Sequence, residues 1–100
     1  MKTIRFKEWD CNLVFGKYAN GATALQLVDT EDGSPVATAS VNIAGESETL
    51  DSDEIFIKDW SENEGMLTAL IVARVVSHPI SHTYTGFVAA PLCEILIPME

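Results

Sequence analysis

The stretch that most constrains the fold is residues 54–76, because it joins a strand-forming segment to the clearest helix signal of the chain. Residues 54–58 (Glu-Ile-Phe-Ile-Lys) are rich in β-branched and aromatic side chains, which favour the pleated surface of a half-buried strand. Residues 61–64 (Ser-Glu-Asn-Glu) match a capping box, in which a serine hydroxyl and a glutamate carboxylate satisfy free N–H groups at a helix start. The stretch therefore predicts a strand followed by a helix over residues 62–75.

Apolar side chains cover most of this predicted helix, and only Glu64, Thr68 and Arg74 are expected to face solvent. Carboxylates in the first turn and Arg74 in the last turn suit the helix dipole, whose positive end lies at the N-terminus. A helix that is apolar on most sides must be covered on most sides. We therefore expect a sheet to cover one side of the helix, and a partner chain is a candidate cover for another.

Alternating apolar and polar residues predict several strands before this unit. The segments that alternate in this way are residues 3–7, 11–17, 22–28 and 36–43. Trp9 and Asp10 are expected in the first turn, and the later turns contain Asn20-Gly21 and Asp32-Gly33, which are typical of tight hairpins. Consecutive strands that are joined by short turns form an antiparallel meander.

The C-terminal part predicts two further strands, over residues 83–90 and 92–97, with Pro91 at a bulge or at a sheet edge. The predicted fold class is therefore α+β. An antiparallel sheet, made of a meander of three to four strands and two to three more, is packed on one main α-helix. The length of 100 residues fits a single domain over residues 1–100.

Acidic residues outnumber basic residues by 15 to 6, which gives a net charge of −9. Such a chain has no basic stripe for the phosphates of nucleic acid, and its charge disfavours an anionic membrane surface. No apolar run approaches the roughly 18–20 residues that cross a bilayer. We therefore expect a cytoplasmic protein without direct nucleic-acid binding and without membrane contact. Its partner is a basic protein surface, a small molecule or nothing specific, since excess charge also keeps a small protein soluble.

The acidic residues are concentrated, because eight of the fifteen lie between positions 46 and 64. Residues 44–53 form a polar, acidic loop without periodicity. A loop of this kind is either a solvated surface or a set of carboxylates that contacts a basic protein partner. The predicted binding residues are Glu46, Glu48, Asp51, Asp53, Glu54 and Trp60.

Trp60 belongs to this set because of its place in the strand alternation. It is expected on the same face as Phe56 and opposite Ile55 and Ile57. An aromatic pair on a second face is either covered by other parts of the chain or stacks on a ligand or partner. Both alternatives are open at this point.

Catalytic motifs are not found in the sequence. Asp59 and Glu62 are a carboxylate pair that could exchange protons, and Ser61 is a hydroxyl next to them, but a helix start explains all three. We therefore predict a protein that is not an enzyme and has no cofactor.

Residues that commonly bind metals are also present, but in unfavourable patterns. His78 and His82 are separated by Pro79, so that the spacing does not bring both imidazoles together on a helix. Cys11 and Cys93 are far apart and lack a paired CxxC spacing. We predict no metal site, and we expect both cysteines to be reduced thiols in the core.

Three segments carry a resemblance to a known family: IKDWSENEGMLTAL at 57–70, GFVAAPLCEIL at 86–96 and the opening residues 1–29. The chain resembles short, functionally uncharacterised proteins from phages and mobile elements of gut bacteria. The resemblance implies a viral context and gives no residue a role. Small acidic phage proteins often act by stoichiometric binding, as inhibitors of CRISPR effectors or as sponges for defence signalling nucleotides.

Three functional hypotheses follow. The first is a non-catalytic counter-defence inhibitor whose acidic segment contacts a basic surface on a host protein. The second is an oligomeric sponge that holds a signalling nucleotide at a subunit interface, with aromatic residues and the cations Arg5, Lys17, Lys58 or Arg74. The third is a structural or regulatory protein without a defence role.

Overall fold

A computed structural model describes residues 2–99 of the chain. Within these residues the protein forms seven strands, one α-helix and two short 3-10 turns. The strands are β1 (Thr3–Phe6), β2 (Trp9–Lys17), β3 (Thr23–Asp29), β4 (Pro35–Thr38), β5 (Glu54–Phe56), β6 (Ser81–Thr85) and β7 (Val88–Glu94). The helix α1 spans Met66–Val72, and the 3-10 turns span Ser47–Thr49 and Ser61–Asn63. The predicted α+β class is confirmed.

The first sheet is the predicted antiparallel meander, in the order β1-β2-β3-β4. Its inner face buries the side chains that the alternation places there: Ile4, Phe6, Cys11, Leu13, Thr23, Leu25 and Leu27. The first turn lies earlier than predicted, because Trp9 already pairs with Phe6 and therefore belongs to β2. Lys7 makes this turn with a positive φ of 54°.

The end of β4 departs from the prediction of a strand over residues 36–43. The chain leaves β4 after Thr38 and crosses to the second sheet, where Ser40 forms a bridge with Ile57. Ser40 occupies a polar position of the alternating segment, where an exposed side chain is expected, but it is only 3% exposed. Its hydroxyl accepts a hydrogen bond from the Leu25 N–H at 3.0 Å and lies 2.7 Å from the Tyr18 hydroxyl. A residue that joins two sheets is covered on both faces, which strand alternation alone does not predict.

The second sheet has the order β5-β7-β6 and is also antiparallel. The predicted strand over residues 83–90 is wrong, because Gly86 and Phe87 form a two-residue loop between β6 and β7. Gly86 has a φ of 64°, which suits a first loop residue with positive φ as in a type II′ turn.

Pro91 is also placed wrongly by the prediction, since it is buried in β7, the central strand of this sheet. Proline has no N–H to donate to a strand ladder. The side of Pro91 that would carry the N–H faces Ile57, whose own N–H donates to the Pro91 carbonyl at 3.0 Å. β5 ends at Phe56, so the missing hydrogen bond falls where the ladder ends.

The helix is shorter than predicted and begins at Met66 instead of near residue 62. The capping box does not form, because Ser61 begins a separate 3-10 turn and has a φ of 56°. Gly65 follows with a φ of 95°, a conformation that interrupts any helix. The carboxylate of Asp59 instead accepts a hydrogen bond from the Leu67 N–H at 2.8 Å. Asp59 thus performs the task that was assigned to Ser61.

Arg74 was predicted in the last turn of the helix, but it lies beyond the end of α1. Arg74 is left-handed, with a φ of 59°. Its N–H donates to the Ile71 carbonyl at 2.9 Å, and the Val75 N–H donates to the Leu70 carbonyl at 2.9 Å. These two bonds define a Schellman motif, in which glycine usually occupies the left-handed position.

Two groups of buried side chains stabilise the fold. The main core lies between the inner face of the first sheet, α1 and one face of the second sheet, and includes Met66 and Leu70 from the helix. The helix itself contacts the edge strand β1 and does not extend across the sheet. A smaller core on the other face of the second sheet is formed by Ile43, Phe56 and Ala90. In residues 2–99 no helix is long and apolar enough to span a membrane.

Candidate functional site

The first half of the acidic loop is more regular than predicted. Ser47 is 2% exposed, and its hydroxyl accepts a hydrogen bond from the Ile43 N–H at 2.7 Å. The Ser47 N–H donates back to the Ile43 carbonyl at 2.8 Å. The Thr49 hydroxyl donates to the Glu46 carbonyl at 2.7 Å. These bonds hold a 3-10 turn in place, while the carboxylates of Glu46 and Glu48 remain exposed.

The second half of the loop is attached to both sheets. The Thr23 hydroxyl, from β3, donates to the Ser52 carbonyl at 2.8 Å. The Ile95 N–H, which follows β7, donates to the Asp53 carbonyl at 2.7 Å. The Asp51 N–H donates to the Glu54 carboxylate at 2.9 Å. The loop backbone is therefore anchored by groups from distant parts of the chain.

The carboxylates of this loop are not neutralised by basic side chains in the described part of the chain. The two ion pairs found within residues 2–99 are Arg5–Asp10, at 3.2 Å, and Lys58–Glu62, at 2.8 Å. Neither involves a carboxylate between positions 46 and 54. A fixed backbone thus presents uncompensated negative charge to solvent.

Strand pairing adds one acidic residue that the sequence analysis did not select. Glu54 on β5 lies directly opposite Glu94 on β7. Like charges that face each other across two strands are destabilising. Only the pairing of the two strands reveals that the two residues lie opposite each other, because Glu94 is far away in the chain and next to no other acidic residue. We define the acidic surface as Glu46, Glu48, Asp51, Asp53, Glu54 and Glu94.

Trp60, the aromatic member of the predicted binding residues, lies in the smaller core. It is half-buried and packs against the cluster that contains Phe56, the residue with which the alternation places it, and Leu50 packs against the same cluster. Leu50 belongs to the acidic loop, so this core also holds the loop against the second sheet. The tertiary contacts of Trp60 are those of a packing residue beside the acidic surface, and its contact with a ligand stays a prediction.

The four cations proposed for a nucleotide site are not brought together by the described contacts. Arg5 and Lys58 are engaged in the two ion pairs. Lys17 lines a depression of about 220 Å³, together with Phe15, Gly16, Thr23 and Met99. Arg74 lines a different depression of about 370 Å³ with apolar side chains, Ser77 and His78. The two depressions share no lining residue.

The other side chains that were weighed for catalysis or metal binding are either engaged in structural contacts or exposed. Asp59 caps α1, and a hydrogen bond from the Lys58 ammonium lowers the pKa of the Glu62 carboxyl. His78 and His82 are exposed. In the region that the structure describes, residues 2–99, no three His, Cys, Asp or Glu side chains form a group that could hold a metal ion.

The two cysteines are free and buried, as the sequence predicts. Burial, and then the negative charge of Asp29, raise the pKa of the Cys11 thiol. Burial alone raises the pKa of the Cys93 thiol to about 11. Both groups are therefore neutral thiols at physiological pH.

Comparisons with protein-family models, with curated proteins and with solved structures find no match to this chain. The resemblance to short phage proteins therefore stays a prediction from the sequence. The acidic surface is the candidate functional site because its charge, its anchoring and its like-charge pair occur in one place.

Proposed function

We propose that this protein is a non-catalytic binding protein whose acidic surface contacts a basic surface on a partner protein. The observation that carries the proposal is the fixed backbone of these carboxylates, for which no ion pair is found within residues 2–99, including Glu54 opposite Glu94. Repulsion between these two carboxylates is relieved when a partner places cationic groups over them. Relief of this repulsion therefore contributes favourably to the free energy of binding.

The anchoring of the loop supports the same proposal. Ordering a flexible loop on binding costs free energy, and a loop that is already ordered avoids that cost. The hydrogen bonds of Ser47, Thr23 and Ile95 hold the loop before any partner arrives. A net charge of −9 also accelerates the approach of a basic partner.

The resemblance to phage proteins supplies the biological context of the proposal. We propose a phage or mobile-element protein that acts in the cytoplasm of the host cell. Its partner is a host defence protein with a basic surface, such as a CRISPR effector, which it inhibits by stoichiometric binding. No catalytic residue, cofactor or metal is part of this mechanism.

A matched pair of triple variants tests the role of the acidic surface. The test variant combines Glu46→Gln, Glu48→Gln and Asp53→Asn. The control variant combines Glu8→Gln, Glu31→Gln and Glu64→Gln. All six residues are exposed, and no side-chain hydrogen bond or ion pair is found for them within residues 2–99. Both variants lose three negative charges, so they differ only in where the charge is removed.

The probe is a labelled lysine-rich peptide, with binding measured by fluorescence anisotropy at ionic strengths of about 0.01 M and about 1 M. We expect the test variant to bind about tenfold more weakly at low salt, which corresponds to about 1.4 kcal/mol. The control variant should lose less than about twofold, because isolated exposed charges contribute little. Pull-down from host lysate with the same three proteins then identifies the partner. Equal losses in both variants would reject the acidic surface as the binding site.

A nucleotide sponge is the second candidate, supported by the depression at Arg74. Its lining joins one guanidinium to Ser77, His78 and apolar side chains, a combination that suits a phosphorylated ligand with a base. A ligand that binds only the folded protein raises its melting temperature. Thermal shift against a panel of cyclic nucleotides should therefore show a rise that Arg74→Gln abolishes. If no nucleotide raises the melting temperature, the sponge is rejected while the first proposal stands.

A further inference from the structure

The second sheet carries a surface of the opposite kind, without charge. Residues 75–93 contain no Asp, Glu, Lys or Arg, although such residues make up 21% of the chain. This segment includes the β6–β7 hairpin except its last residue, Glu94. Three of its side chains are large and exposed: Ile80 at 56%, Tyr84 at 77% and Phe87 at 105%.

β6 is an outer strand with free hydrogen-bonding groups. The carbonyl of Pro91 is directed to β5, where it accepts from the Ile57 N–H, and His82 is the residue opposite Pro91 on β6. His82 and Pro91 are therefore a non-hydrogen-bonded pair, in which the backbone N–H and C=O of His82 point away from β7. Tyr84 lies two residues later, so its backbone N–H and C=O point the same way. Within residues 2–99 these N–H and C=O groups have no backbone partner.

The other outer edge of the joined sheets is better protected. β1 carries Arg5 and is contacted by α1. Charged residues, prolines and covering elements are the usual protection of strand edges. β6, with the sequence Ser-His-Thr-Tyr-Thr, has none of these features within the strand.

The sequence of β6 is complementary to itself in the antiparallel direction. A two-fold axis at Thr83 places Thr83 opposite Thr83 of a second copy, His82 opposite Tyr84 and Ser81 opposite Thr85. One face then holds a row of hydroxyl side chains and the other two His–Tyr pairs, which are favourable cross-strand neighbours. The free groups of His82 and Tyr84 form about four backbone hydrogen bonds across the axis.

The apolar residues that flank β6 also come together in this register. Ile80 stands just before β6 and Phe87 just after it, so the antiparallel arrangement brings Phe87 of one copy next to Ile80 of the other. Two copies that each carry a net charge of −9 repel each other over most of their surfaces. The uncharged hairpin is where two copies can approach with least repulsion, since charges beyond about 8–10 Å are screened at physiological salt.

We propose that the protein forms a homodimer in which β6 strands of two copies pair antiparallel about Thr83. The two three-stranded sheets become one six-stranded sheet, and Phe87 of each copy covers Ile80 of the other. The dimer is independent of the proposed function, because the acidic surface and the β6 edge share no residue. A failure of one proposal therefore leaves the other untouched.

The variant Tyr84→Pro tests this register. It removes an N–H that points away from β7, so the ladder within the monomer is kept, and proline is tolerated at strand edges. The control Tyr84→Thr also removes the aromatic ring but keeps the N–H. Sedimentation velocity over a concentration series should show the wild-type mass rising from 10.9 kDa towards twice that value. Tyr84→Thr should still dimerise, and Tyr84→Pro should stay a monomer while its circular dichroism is unchanged.

Amide hydrogen exchange of the wild type provides a test that needs no variant. The N–H groups of His82 and Tyr84 should become protected as the concentration rises, whereas Thr83 and Thr85 should be protected throughout. The proposal is overturned if the wild type is monomeric up to about 1 mM, in which case the edge suits an extended segment of another protein. It is also overturned if a folded Tyr84→Pro dimerises, or if protection appears at β1 instead.

Discussion

The two sheets of this protein are built by different means. In the first sheet every strand pairs with its neighbour in the chain, through short turns. In the second sheet β5 pairs with β7, and the chain between them contains α1 and β6. Contacts between distant segments carry a larger loop-closure cost than local hairpins. The first sheet therefore follows from local sequence, and the second depends on tertiary packing.

The two sheets also differ in what they present to the outside. The acidic surface and the free edge of β6 both belong to the second sheet or to the loop attached to it. Like-charge repulsion and an unpaired strand edge both lower stability. A fold can keep such features where another region supplies most of its stability. The main core, which the first sheet and α1 form together with the inner face of the second sheet, supplies it here. We infer that the first sheet contributes more to stability and that the second sheet carries the two proposed binding surfaces.

Substitutions in the two cores test this division most strongly. Leu27 is fully buried in the main core, and Leu50 is half-buried in the smaller one. Leu27→Ala should lower the free energy of unfolding by about 2–5 kcal/mol, because it leaves a cavity. Leu50→Ala should cost about 1 kcal/mol, since only part of its surface is removed from water. Urea denaturation measures both, and equal losses would show that the smaller core matters as much as the larger.

Asn63 is expected to hold the two sheets together. It is 1% exposed, and its amide donates to the Thr38 carbonyl at 2.7 Å and to the Lys58 carbonyl at 3.1 Å. Asn63→Ala should lower the free energy of unfolding by about 1–3 kcal/mol, because two partly buried carbonyls lose their donor. The control Asn42→Ala breaks an exposed contact with Asn20 and should change it by less than about 0.5 kcal/mol. If both variants lose a similar free energy of unfolding, Asn63 is not what links the two sheets.

Arg74 lies where the chain passes from α1 to the second sheet, and its strain predicts a gain in stability. Its left-handed φ of 59° is unfavourable for any residue that has a side chain. Arg74→Gly should raise the free energy of unfolding by about 0.5–1 kcal/mol, after allowing for the greater freedom of glycine in the unfolded chain. Arg74→Ala removes the same charge but keeps the strain, so it should give no gain. If both variants are equally stable by thermal unfolding, charge and not backbone strain explains the effect.

The two thiols report on each sheet separately without any substitution. Cys11 lies in β2 and Cys93 in β7, and both are fully buried. In urea below the unfolding midpoint, a thiol reagent should modify Cys93 before Cys11, because we expect the second sheet to open first. Mass spectrometry of the labelled peptides measures the two rates. Equal rates would show that both sheets open as one unit.

The raised pKa of Cys93 also predicts a pH dependence of stability, which urea denaturation at several pH values measures. The folded protein holds the Cys93 proton more tightly than the unfolded chain does. The free energy of unfolding should therefore fall as the pH rises from 9.0 towards about 11, and should be insensitive to this group below pH 9.0.

The errors of the sequence analysis have a common physical cause. Ser61 and Glu64 match a capping box, yet the buried amide of Asn63 holds residues 61–63 as a separate turn, and Asp59 caps the helix from a distance. Glu94 looked isolated until strand pairing placed it opposite Glu54. In each case a contact between distant residues overrode or completed a local pattern.

The sequence by itself determined the α+β class, the meander with its Asn-Gly and Asp-Gly turns, the buried thiols and the excess of negative charge. These features depend on side-chain alternation, turn chemistry and composition, all of which act over a few residues. The tertiary structure alone decided where the helix begins, how β5 meets β7, which carboxylates share a surface and which strand edge is left open. These depend on which distant backbone groups meet, and a one-dimensional pattern contains no distances between them.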